Sequence, residues 1–153
     1  NDVRMLSIYG MYFNGVGNSP AAEKVLGEAL AIAPNKQLIA FDLTRAYLIQ
    51  KKFDQAYALS KKTYDLSITC RDALKWMLIS AAYDGKYKEA VAYAVAKDPK
   101  QDFSFDADVL GGIVSSGQIG LAIEMLNAEK KKNPAMATQI DEYIKQLLAM
   151  PRK

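Results

Sequence analysis

The stretch that decides the fold is GKYKEA, residues 85–90: a turn residue, a spacer, an apolar or aromatic residue, two more spacers and an alanine. The same order recurs in KKFDQA at 51–56 and GQIGLA at 117–122, and GNSPAA at 17–22 completes the series. The closing alanines are Ala22, Ala56, Ala90 and Ala122, so the intervals are 34, 34 and 32 residues. An interval this regular is the mark of a repeat architecture, in which each unit is one supersecondary element stacked on the next.

Outward from each turn the chain reads as helix. Residues 37–50, QLIAFDLTRAYLIQ, contain no Gly or Pro and are apolar on nearly every side, as in a helix enclosed by neighbours. The helices after the turns are one-sided: Ala22, Leu26 and Ala29; Ala90, Ala94 and Val95; Ala122, Ile123 and Leu126. Pro34, Pro99 and Pro134 stop the units just past helix ends. No alternating apolar run suggests a strand. The chain is therefore expected to be all-α, built from antiparallel helix pairs.

Composition bounds the function. The 153 residues are half hydrophobic and a quarter charged, enough for a single domain with a real core. No run approaches the ~18 apolar residues of a membrane span. The chain begins Asn1-Asp2-Val3 without Met, and reads as a piece of a longer protein. The net charge of +3 is small for a nucleic-acid binder, and Lys130-Lys131-Lys132 suits a helix C-terminus, where cations meet the dipole. There is no histidine and only one cysteine, Cys70. That removes His-dependent triads, the commonest general base, His-based zinc sites and any internal disulfide. Asp106 with Asp108, and Asp141 with Glu142, are one or two residues apart and diverge around a helix. Neither catalysis, a metal site nor a cofactor is expected.

At this point the pattern resembles the tetratricopeptide repeat (TPR), W-x2-L-G-x2-Y followed by a turn, A-x3-F-x2-A and a proline. Leu6, Tyr9, Gly10 and Phe13 match its first helix, and Ala22, Leu26, Ala29 and Pro34 its second. The second unit keeps Ala40, Leu43, Tyr47, Phe53 and Ala56, with Thr63 and Ile68 in place of the later alanine and proline. In the third, Trp76, Ile79, Ser80 and Tyr83 take the first-helix positions, which makes its turn two residues short. The fourth has only Val109, Leu110 and Ile113 in its first helix and recovers at Gly117, Ile119, Ala122, Leu126 and Pro134. The resemblance implies a right-handed α-solenoid of four repeats at about 3–36, 37–70, 71–102 and 103–136. Residues 136–150 then read as a capping helix with an inner stripe of Ile140, Ile144, Leu147 and Leu148.

In such an array the first helices line a concave groove that holds a peptide segment or helix of a partner protein. The stripe Leu38, Phe41, Arg45 and Leu48 is assigned to that groove. The same register adds Arg4, Ser7 and Met11 from the first unit, and Met77, Ala81 and Asp84 from the third. The Lys and Asn pattern of carboxylate-clamping TPR domains is missing from these positions. The first helix, Val3 to Phe13, has no cap before it, so end-to-end pairing of two chains is a further expectation. Asn1-Asp2-Val3-Arg4, PNKQLIAFDLTRAYL at 34–48 and EYIKQLLAM at 142–150 also resemble TPR tails of bacterial O-antigen ligase or polymerase-like membrane proteins. That alternative makes this an accessory domain of a glycan-joining enzyme. An RNA-binding helical repeat would need a basic, polar inner face, which Phe41, Met77 and Ala81 do not supply.

The glycines of the first turn allow a second interpretation, since a Gly-rich loop before a helix can cradle phosphate. Lys51 stands where Gly17 stands, so the position needs a bend rather than bare backbone. Ser19 and Pro20 are expected to cap and open the following helix.

Overall fold

The computed structural model describes residues 2–151. Among these residues nine α-helices follow one another: α1 (Val3–Gly15), α2 (Ser19–Ile32), α3 (Gln37–Ile49), α4 (Phe53–Leu66), α5 (Arg71–Tyr83), α6 (Tyr87–Lys97), α7 (Ala107–Ser115), α8 (Ile119–Lys132) and α9 (Ala137–Ala149). A 3-10 turn, Pro134–Met136, leads into α9, and no strand occurs among the described residues. Consecutive helices pack as neighbours within two compact units, residues 1–101 and 102–153.

The turns explain the period. Gly17, Lys51, Gly85 and Gly117 all adopt positive φ, +77°, +59°, +73° and +82°. In each turn the next residue donates its backbone N–H to a carbonyl five residues back: Asn18 to Phe13, Lys52 to Tyr47, Lys86 to Ala81 and Gln118 to Ile113. The positive-φ residue itself donates three residues back, completing the Schellman closure that satisfies the last carbonyls of a helix. Lys51 holds this conformation despite its Cβ, which costs roughly 1 kcal/mol.

The four period alanines, Ala22, Ala56, Ala90 and Ala122, are fully buried. A methyl at each position lets the two helices of a pair approach closely. Gly10 makes the closest approach: a Cβ there would lie 2.3 Å from Cγ of Leu26. The core of the first pairs joins Ala22, Leu26 and Ala29 of α2 to Ile39, Leu43 and Ala46 of α3.

Three sequence expectations change in detail. Asn18, not Ser19, caps α2, accepting from the Ala21 N–H, and Ser19 is buried as the first helical residue. The third turn has full length, because α5 and its turn repeat α3 and its turn at an offset of 34 residues. The equivalents of Ala40, Leu43, Thr44 and Tyr47 are therefore Leu74, Met77, Leu78 and Ala81, all buried, and Trp76 lies two positions off that register. On α9, Ile140 and Leu147 are buried as expected, whereas Leu148 is 60% exposed.

Candidate functional site

Within residues 1–101 each first helix packs on the next first helix, α1 on α3 and α3 on α5. The second helices keep their backbones farther apart, and α4 and α6 meet through long side chains, with the Tyr93 hydroxyl and Lys97 of α6 reaching Asp65 of α4 at 2.7 and 3.2 Å. Side chains of the first helices that point away from their own pairs thus lie near one another. Asn14 of α1 pins this arrangement, its Nδ2 donating to the Asp42 carbonyl of α3 at 2.9 Å.

The offset of 34 residues relates positions on α1, α3 and α5 directly. Arg4, Leu38 and Asp72 form one equivalent set, and all three are exposed, Leu38 at 75%. Met11, Arg45 and Ile79 form a second, with Met11 and Arg45 exposed and Ile79 half-buried. Ser7, Phe41 and Lys75 form a third, at the seam between first helices. Ser7 and Lys75 are half-buried, and Lys75 reaches Asp72 at 3.4 Å. Leu48 is half-buried near the end of α3.

Phe41, Met77 and Ala81 do not present their side chains to a ligand. Phe41 is 8% exposed and stacks on Trp76, with centroids 6.3 Å apart and planes 18° apart. The aromatic fills the seam between α3 and α5, where burial of its large apolar area outweighs exposure to a groove. Met77 and Ala81 are fully buried because their true equivalents are Leu43 of the core and Tyr47, which packs against that core. Taking Trp76 as the signature tryptophan displaced the third unit by two residues and turned its core wall outward. Asp84 follows α5 and pairs with Lys86 at 2.7 Å, as part of the turn.

The charge on this face is uneven. Burial pushes the Asp42 carboxyl above its ordinary range, and the Arg45 charge offsets part of that. Glu23 of α2 lies at the other end of the hairpin, where it accepts from Lys52 at 2.6 Å and from Gln50 at 2.7 Å. The Lys52 bond leads in holding its carboxyl below the ordinary range, against burial.

Two clefts were not visible in the sequence. One, of about 570 Å3, opens between α2 and α4, with Ala40, Leu43 and Tyr47 of α3 as its floor and Gly27, Ala31 and Ala58 in its walls. It exists because the backbones of α2 and α4 stay apart and small residues line the gap. Small residues on α2 and α4 were the available signal. The other, about 730 Å3, lies within residues 102–153 and is lined by Val114, Ile119, Ile123, Leu147, Leu148 and Met150 without a charged side chain.

Among the described residues no group of three His, Cys, Asp or Glu side chains comes together as a metal site, and no helix is long and apolar enough to cross a membrane. Cys70 is a half-buried free thiol preceding α5. Searches found no protein-family model and no curated protein that matches this chain.

Proposed function

We propose that this chain is a TPR-like interaction module that binds an extended or helical segment of another protein along its first helices, without chemistry of its own. The observation that carries this reading is the pair of ladders set by the 34-residue offset: Arg4, Leu38 and Asp72, all exposed, and Met11, Arg45 and Ile79, of which the first two are exposed and Ile79 is half-buried. First helices whose backbones come close, while second helices stay farther apart and meet only through long side chains, give each pair a wedge shape, and stacked wedges curve with the first helices inside. The ladders then face the concave side. Exposed Leu38 and Met11 beside Arg4 and Arg45 suit a ligand with apolar anchors and acidic flanks.

The test is selection from a random peptide library on the 153-residue chain, followed by titration of the selected peptides against a Leu38→Asp/Arg45→Glu variant. Both positions are exposed, so the variant should keep its helical signal and melting point. Peptides enriched in acidic and apolar residues that lose tenfold or more in affinity support the reading. Equal binding to the variant, or peptides that compete only for the α2–α4 cleft, would refute it.

A further inference from the structure

One side of α1 is apolar and uncovered. Met5, Ile8, Tyr9, Tyr12 and Val16 follow helical spacing and are 45%, 56%, 49%, 61% and 58% exposed. No charged residue falls on this stripe.

The repeat offset shows what kind of surface it is. Met5, Tyr9 and Tyr12 correspond to Ile39, Leu43 and Ala46 on α3, and to Ala73, Met77 and Ser80 on α5. All six of those equivalents are buried, and those on α3 pack against Ala22, Leu26 and Ala29 of the preceding second helix. The α1 stripe therefore occupies positions at which this architecture is covered by a helix.

The residues themselves argue against a covering helix seated as α2 sits on α3. Tyr12 stands where α3 has Ala46 and α5 has Ser80, both fully buried at close helix contacts. A tyrosine there would hold off a helix at that spacing, and the larger Tyr9 in place of Leu43 adds to the separation. Two bulky tyrosines one turn apart can instead interleave with the same pair across a two-fold axis, as aromatic pairs prefer. An antiparallel α1–α1 contact also aligns opposing helix dipoles and sets no like charges on the stripe against each other. Together the five side chains expose roughly 600 Å2 per chain. A two-fold pair that covered all of it would bury about 1,200 Å2, at the lower edge of specific stable interfaces, and the stripe on one chain stands at the upper end of the largest patches a monomer shows.

We infer that α1 is a self-association surface and that its occupant is α1 of a second copy of this chain, packed antiparallel through Tyr9 and Tyr12. Sedimentation of the 16.9 kDa chain between about 5 and about 200 μM tests this. Wild type should pass from one chain to two across that range. Tyr9→Lys/Tyr12→Lys should raise the dissociation constant at least tenfold while keeping the helical signal. The Leu38→Asp/Arg45→Glu variant should dimerise like wild type, which separates this inference from the groove reading. A wild-type chain that stays monomeric would overturn the inference and leave the face to a helix of another protein. A dimer unmoved by the tyrosine changes would overturn it as well.

Discussion

Replacing Gly10 and Gly27 by alanine, one at a time, should move stability in opposite directions although both glycines are helical. Alanine is favoured over glycine inside a helix by about 1 kcal/mol, because glycine loses more backbone freedom on folding. At Gly27 a new Cβ meets no neighbouring atom within 4 Å, so the full gain should appear. At Gly10 the Cβ would sit 2.3 Å from both Cγ and Cδ2 of Leu26 and 3.0 Å from Cδ1, an overlap of more than 1 Å with ordinary carbon contacts. Rotation about the outer bond of Leu26 cannot clear its Cγ. The side chain is fully buried among Ala22, Ala29, Ile39 and Leu43, so it has little room to rotate further in. Overpacking of this kind costs about 1–3 kcal/mol, and a clash at a branching carbon belongs at the upper end. Gly10→Ala should therefore lose about 1–2 kcal/mol net, and the two variants should differ by about 2–3 kcal/mol. In thermal unfolding, each kcal/mol corresponds to roughly 2–4 °C for a chain of this length. A Gly10→Ala protein as stable as wild type would show that α1 and α2 are not in contact through this glycine.

Further variants probe the turns, the hairpin ion pair and the α3–α5 seam. Lys51→Gly should gain about 0.5–1 kcal/mol by relieving a positive φ of 59°, whereas Gly85→Ala at +73° should lose a similar amount, both read from urea midpoints. Glu23 has a folded-state pKa lowered by Lys52, so its stabilisation is present above the unfolded carboxylate value and is lost as pH falls through the lower folded value. With the partly exposed side chains screened by water, Glu23→Gln should cost about 0.5–1 kcal/mol at pH 7, and the difference should shrink as pH falls below the ordinary carboxylate range. Phe41→Ala should lose about 3 kcal/mol in the same assay, since it empties a buried, stacked position, while Arg45→Ala should stay within ~0.5 kcal/mol.

The sequence alone determined the all-helical class, the period and the helix pairs. Those features follow from local chemistry: residues at the left-handed turns, prolines past helix ends, and alanines where axes cross. Ala22, Ala56, Ala90 and Ala122 are fully buried, as their spacing implied. A helix, α9, also stands where residues 136–150 read as one.

The facing of the central helices was decided only by tertiary packing. α3 is apolar on nearly every side and touches α1, α2, α4 and α5, so periodicity could not distinguish a seam from an open face, and Phe41 fell on the wrong side of that choice. On α5 the aromatic residues Trp76 and Tyr83 fit the repeat signature two residues out of register. What fixes the register is backbone geometry: the Lys86 N–H closes on Ala81, as the Lys52 N–H closes on Tyr47. A small alanine can occupy a tyrosine's place when a neighbouring helix comes closer, and that distance is a property of the folded chain.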